Sequence, residues 1–383
     1  MVAKCHVGSQ VSKGSFATAS RIYSIPLDNK ETTLLKITHV QALYPRYQHV
    51  KSSWRTHFWQ IAVRVETDTG LVGWGYGGGG VAAVEIVNRH FRPLLVGRPL
   101  TDPAGLEDLW DALYLASAPY GRRGLAIMAL SGVDLALWDL LGQAEGCSIC
   151  ELLGGPRHPR VRAYATGGEL ARHRDQGFSA YKLPYQFSSP EQGSDELVAW
   201  AGGARTAMGA EGLLMIDGYM SWSPEQAVSA AAALVPFDIY WFEDLLLPDL
   251  VEAQAQLRPQ IKPVLLAGGE HEFTHYGFAE LARAQALDMW QPDITWCGGL
   301  TAARRIVELA RQYQIPVVFH RGGEVWGLHL IAAGFGEPLA ELVGGRQEAP
   351  KDQLWLDEPQ AEEGYLHVPQ KPGFGVRINE DMF

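Results

Sequence analysis

The chain has 383 residues, of which 47% are hydrophobic and 20% charged, with a formal net charge of −11 and four cysteines. That length calls for about two domains, or one barrel with an attachment, while the acidic balance argues against a nucleic-acid partner, which needs a basic face to neutralise phosphates. No uninterrupted apolar run is long enough for a membrane span. The start, MVAKCHVGSQVSKGSF, lacks the apolar centre of a secretory signal, and so few cysteines make no disulfide framework, so a cytoplasmic location is expected.

Residues 1–33 are polar and aperiodic and are expected to be a poorly ordered N-terminal arm or a partner-binding strand. Residues 34–155 read as an α+β domain. KITHVQAL and HFWQIAVRVETDTGLVGWGYG alternate as antiparallel strands do, with a turn at Asp68-Thr69-Gly70, and LAIMALSGVDLALWDLLGQAEG repeats its apolar residues at helical spacing. From 156 to 353 a short apolar strand precedes each amphipathic helix, the pattern of a parallel sheet with crossovers. Eight strands can be counted, VRAYATG, SAYKLPY, LLMIDGY, IYWFEDL, PVLLAGGE, DMWQPDI, PVVFH and LAELVGG, enough to close a (β/α) barrel. Ser223-Pro224-Glu225-Gln226 carries the signature of a capped helix start. Residues 354–383, with strand-like HVPQ and GVRI around PGFG, are expected to return to the first domain.

In such barrels the chemistry sits at the C-terminal strand ends. The third strand ends in Asp217, the fourth in Glu243 and the fifth in Glu270, one βα unit apart. Three carboxylates converging on one mouth require a cation, because like charges at short range would otherwise force protonation. An all-oxygen set fits magnesium better than zinc. The sixth strand ends in Gln291-Pro292-Asp293 and the seventh in His320, so a carboxylate is expected beside an imidazole, the equipment of a general base. Glu341 on the eighth strand is placed to bind a hydroxyl or, if protonated, to donate to one.

IDGYM, WFED, GGEHE, QPDITWCGG and VVFH, in this order and spacing, resemble the mandelate racemase branch of the enolase superfamily. Within it, GGEHE, PDITWCGG, the lone KLP and the terminal KPGFGVRIN are similar to the L-rhamnonate dehydratases and related acid-sugar dehydratases, over residues 34–383. The resemblance implies a modified TIM barrel with an N-terminal α+β capping domain completed by the C-terminal segment. It implies Mg²⁺ on Asp217, Glu243 and Glu270, a His320–Asp293 dyad, and Glu341 beside the enediolate made when the α-proton leaves. The expected product is a 2-keto-3-deoxy acid from a small-molecule aldonate or aldarate, made by a homo-oligomer. Racemases of this branch resemble one another in a Lys-x-Lys pair, whereas here the text is Lys182-Leu183-Pro184, which favours one-sided chemistry with Lys182 binding carboxylate or stabilising charge. Lys51, His49 and Arg55 in the first domain and Arg321 after the dyad histidine are the candidate substrate contacts. Racemisation, epimerisation or cycloisomerisation is the alternative reaction, and a catalytically inactive barrel that binds a partner is the alternative class.

Three motifs point elsewhere. His271-Glu272-Phe273-Thr274-His275 fits the H-E-x-x-H of zinc proteases, Gly75 to Gly80 fits the glycine pattern of dinucleotide sites, and Cys147-Ser148-Ile149-Cys150 is a lone C-x-x-C. The first is displaced by the need for Glu270 as a ligand, the second is expected to be a flexible lid because its strands read as antiparallel, and the third is expected to be helix-end packing.

Overall fold

A computed structural model describes residues 35–46, 55–189, 192–343 and 353–383. The proposed arm, Lys51 and His49 lie outside the described residues. Arg55 opens the short helix Arg55–Phe58, but its side chain is outside the description.

The first domain is a four-stranded antiparallel sheet, β1 (Leu35–Leu43), β2 (Ile61–Thr67), β3 (Val72–Gly77) and β4 (Pro99–Leu100), in the order β3-β2-β1-β4. Gly70, at φ 83°, makes the β2–β3 turn that the sequence marks. Against this sheet lies the helix Leu125–Glu145, and the glycine run explains how closely. A Cβ on Gly73, Gly75 or Gly77 would stand 2.3, 2.0 or 2.6 Å from the carbonyl oxygens of Ala136, Gly132 and Met128. Two residues of strand rise about 6.6 Å and four residues of helix about 6 Å, so every second glycine meets every fourth carbonyl. The glycines form a packed seam, and the expected flexible lid is corrected to that.

The same helix is long and apolar enough to cross a membrane by length and composition, but it is buried between the sheet and the barrel. Its polar residues hold other elements. Ser131 Oγ accepts from Gly298 N–H at 2.9 Å and Asp134 from Thr301 N–H at 3.0 Å, satisfying the open start of the helix Gly299–Tyr313. Asp139 accepts from the N–H groups of Trp74 and Phe374, both at 3.0 Å.

The barrel strands are β5 (Arg160–Thr166), β6 (Ala180–Pro184), β7 (Leu213–Asp217), β8 (Ile239–Glu243), β9 (Leu265–Gly268), β10 (Met289–Trp290) and β11 (Leu339–Val343), paired in parallel from β10 back to β5 and on to β11. The seventh position, PVVFH, holds no ladder. It is joined to its neighbours by the isolated parallel bridges Trp290–Val317 and Asp293–His320 and by the hydrogen bond from Glu337 N–H to Val317 O, 2.8 Å. The helix Pro224–Leu234 begins with the expected capping box, Ser223 with Gln226.

The C-terminal segment serves both domains. Its strand β13 (Tyr365–His367) adds antiparallel to β5 of the barrel, while β12 (Trp355–Leu356) pairs with β14 (Arg377–Ile378). Phe374 and Phe383 reach the first domain at Asp139 and Trp74. His329 lies at this junction, accepting from Cys150 N–H at 3.1 Å on Nδ1 and facing Phe374 O at 3.1 Å with Nε2. Cys150 and Cys297 are free thiols, and Cys150 is buried at a helix end.

Gly75→Ala should lose several kcal/mol, because backbone on both sides blocks the new methyl. Gly203→Ala, on an exposed helix face with nothing within 4 Å, should gain about 0.5–1 kcal/mol; thermal or urea melts of the two variants test the seam. Burial holds the His329 imidazole down at about 4, below its ordinary 6.5. The unfolded chain therefore takes up this proton first, and stability falls by about 3 kcal/mol as pH drops from 6.5 to 4. A shallower pH slope in His329→Gln than in the parent checks this.

Candidate active site

The barrel interior is built in layers, and the strand period of two determines what lies in each. Tyr164, Ala180, Met215, Trp241, Ala267, Met289, Val318 and Leu339, one from each of the eight positions, form a buried cluster. Two residues further along every strand the side chain points inward again, one step nearer the C-terminal mouth. Those positions are Thr166, Lys182, Asp217, Glu243, Gly269, Gln291, His320 and Glu341. The site is therefore the layer directly above an apolar floor. At the fifth position a glycine at φ 112° turns the chain, so the acid there is the next residue, Glu270, past the end of β9.

Lys182, 1% exposed, is the centre of this layer. Its ammonium pairs with Glu243, lies 2.8 Å from Glu341 Oε1 and 3.7 Å from Asp217 Oδ2. Glu243 also accepts from Trp241 Nε1 at 2.9 Å and Gln291 Nε2 at 2.6 Å. Burial raises the Asp217 carboxyl, and raises Glu243 to about 8 even against Lys182. Burial acts on Glu341 in the same direction, but Lys182 and His320 outweigh it and hold this carboxyl below its ordinary value. An ionised Glu341 is an acceptor, taking Thr166 Oγ1 at 2.5 Å and Arg321 N–H at 2.8 Å, so hydrogen-bond donation is not its state here.

His320 and Asp293 are adjacent, as the alternation of strands requires. Nδ1 lies 2.9 Å from Asp293 Oδ2, and a carboxylate can only accept, so Nδ1 carries the proton and Nε2 faces the mouth, 3.1 Å from Glu270 Oε2. Asp293 Oδ1 accepts from Thr295 N–H and Oγ, both at 2.7 Å. Burial alone would lower the imidazole, but Glu270 and Asp293 outweigh it and lift it to about 10. Glu270 is carried to about 2, His320 and His271 overcoming burial.

Other expected residues are placed differently. The Arg321 guanidinium is bound in a fork by Glu324, with Nε and Nη2 at 2.6–2.9 Å, so it is engaged by protein rather than held free for substrate. The H-E-x-x-H run does not lie on one helix, which starts only at Thr274; His271 faces Glu270 at 3.2 Å, whereas His275 packs on Tyr276. Sequence reasoning missed Gln291 and Thr295, although both stand beside Asp293 in QPDIT, and it missed Gln60, whose Nε2 donates to Thr295 Oγ1 at 2.9 Å across the domain boundary. Asp244, His271 and Glu270 bring three ligand atoms within 4.8 Å of one another, an acidic cluster that shares Glu270 with the barrel layer.

A capped parallel barrel with acids at successive strand ends and a histidine–aspartate dyad defines an enolase-type protein. Comparison with known families agrees: residues 37–154 match the mandelate racemase / muconate lactonizing enzyme N-terminal domain, and 167–382 match the enolase C-terminal domain-like family. The chain belongs to the mandelate racemase / muconate lactonizing enzyme group of the enolase superfamily. It is 33% identical to the L-rhamnonate dehydratase of Saccharopolyspora erythraea over 350 residues, 89% of each chain. Its structure is similar to that of rhamnonate dehydratase from Gibberella zeae complexed with Mg, at TM-score 0.77 and 29% identity, covering 91% of this chain and 95% of that one. It is also similar to the 3,6-anhydro-D-galactonate cycloisomerase from Zobellia galactanivorans, at TM-score 0.79 and 30% identity, covering 90% and 97%.

Lys182→Met should cost about 3–5 kcal/mol, because it leaves buried carboxylates without their cation. Urea titrations of the variant and the parent at one pH measure the loss.

Proposed function

We propose that this chain is a magnesium-dependent acid-sugar dehydratase that removes the α-proton and the β-hydroxyl of an aldonate or aldarate. The observation that carries the reading is the one-sided arrangement of bases: His320, backed by Asp293 at 2.9 Å, stands over the acidic layer, while Lys182 on β6 is committed to three carboxylates and is followed by Leu183 and Pro184. No second lysine follows on that strand to face the histidine.

Asp217, Glu243 and Glu270 would hold the magnesium. The donor set fits: it offers oxygen only, the buried Asp217 and Glu243 carboxyls are raised by desolvation, and five carboxylates (Asp217, Glu243, Glu270, Asp293, Glu341) stand about the barrel mouth against Lys182 and the His320 imidazole. When bound, the ion supplies Lewis acidity toward the substrate carboxylate and so acidifies the adjacent C–H bond. With Glu270 holding the ion instead of facing Nε2, the cause that keeps His320 charged would be removed, and the neutral imidazole takes the α-proton on Nε2 while Asp293 holds Nδ1–H and stabilises the imidazolium so formed. Lys182 offsets the negative charge that develops on the substrate. The β-carbon–oxygen bond then breaks, and His320 returns its proton to the departing hydroxyl, which leaves as water. The enol that remains takes a proton from solvent at C3 and becomes the 2-keto-3-deoxy acid. Ionised Glu341 accepts from a substrate hydroxyl. The likeness to a cycloisomerase supports one other outcome, in which the same proton abstraction expels a ring oxygen instead of hydroxide.

Purified protein with Mg²⁺, screened against acid sugars including L-rhamnonate, L-lyxonate, L-mannonate and galactarate with semicarbazide detection, should yield a 2-keto-3-deoxy product. His320→Asn should lower kcat by at least ~10³-fold with Mg²⁺ affinity retained, and Glu243→Gln should weaken Mg²⁺ binding by calorimetry. Full activity in His320→Asn would show the base to be another residue.

A further inference from the structure

Arg321 is an unusual residue for its place. It follows the dyad histidine directly, is 7% exposed, and has φ 53°, a left-handed conformation that costs a non-glycine residue roughly 1 kcal/mol. Glycines occupy the next two positions, so the arginine side chain itself must justify the strain. Glu324 fixes two of its nitrogens. The third, Nη1, has no hydrogen-bond partner and lies 3.6 Å from Asp293 Oδ2, the oxygen that receives His320 Nδ1–H. From the first domain, the rings of Trp59 and Tyr76 stand 5.9 and 5.7 Å from the guanidinium carbon.

The other oxygen of Asp293 is tied to the first domain as well. Thr295 Oγ has one proton, given to Asp293 Oδ1 at 2.7 Å, and it accepts from Gln60 Nε2 at 2.9 Å; Gln60 Oε1 in turn accepts from Trp296 Nε1 at 2.9 Å. Both oxygens of the dyad carboxylate are therefore linked to consecutive residues of the capping domain, Oδ1 to Gln60 through Thr295 and Oδ2 to Trp59 through Arg321. Burial would favour the protonated form of Asp293; Arg321, ahead of His320, is the main influence that instead holds it below its ordinary value.

We propose that Arg321 and Gln60 are positioning residues through which the seated capping domain orients the Asp293 carboxylate toward His320 Nδ1, so that the dyad is assembled only when the two domains are packed together. Neither residue touches the reacting atoms; each acts through Asp293. This rests on the dyad reading above, and its test has an arm independent of turnover.

The full-length protein with Mg²⁺ should give a downfield proton resonance from His320 Nδ1–H, identified by its loss in His320→Asn. In Arg321→Met and Gln60→Met the resonance should shift upfield or broaden, and kcat on the acid sugar found in the screen should fall ~10-fold or more with KM within ~3-fold. Arg321→Lys, which keeps the charge near Asp293, should recover part of both signals. Melting curves identify any variant that fails to fold, and the other position then carries the test. If folded Arg321→Met and Gln60→Met keep the resonance and kcat of the parent, the proposal is overturned. If the parent turns over none of the acids, the dehydratase reading fails while the resonance still decides this one.

Discussion

Five carboxylates, four of them buried, crowd the mouth of one barrel and repel one another, and much of this structure is arranged around that repulsion. Lys182 sits among three of them, His320 between the other two, and the guanidinium of Arg321 behind one of that second pair, Asp293. At the short distances and low dielectric of a barrel interior such pairings decide which groups are charged. Asp293 and Glu341 stay ionised because cations face them, whereas Glu243, despite Lys182, is raised to about 8 by burial. An acidic excess of this kind is a reason for a divalent ion to bind, and it also gives the dyad a fixed direction, with Nδ1 toward protein and Nε2 toward the mouth.

The capping domain does more than cover the mouth. Its long helix closes the start of a barrel helix through Ser131 and Asp134, and it receives the C-terminal segment through Asp139. That helix can approach its own sheet only because glycines line the facing strand. The chain from Gly73 to Gly77 and the helix carbonyls it meets therefore set the height at which Trp59, Gln60 and Tyr76 stand over the dyad.

The acids of the site were legible in sequence because two local regularities coincide, strand alternation and one βα unit per strand. Together they give Lys182, Asp217, Glu243, Glu270, Asp293, His320 and Glu341 without any long-range information. The same regularity would have named the apolar floor and Gln291, which the sequence reading missed. What local pattern could not show depends on partners far along the chain. The glycine run looks like a loop until the carbonyls of Met128, Gly132 and Ala136 are seen against it, and Gln60 looks like an ordinary strand-end amide until Thr295 is found beside it. Strand β13, Tyr365–His367, shares only His367 with the strand-like HVPQ of the sequence, and its partner β5 was not readable. Arg321 is a different case. Glu324, its partner, is only three residues away, and the spacing alone would have suggested an ion pair before a substrate contact.

Elimination from one face, with a single histidine moving the proton, is the central claim. It is tested most directly by proton NMR of the Mg²⁺-loaded enzyme with acid sugars in D₂O. The account expects a 2-keto-3-deoxy acid with one deuterium at C3 and no C2 epimer of the starting acid. Accumulation of a deuterated C2 epimer without loss of water would contradict it, since that requires proton transfer on both faces of the substrate.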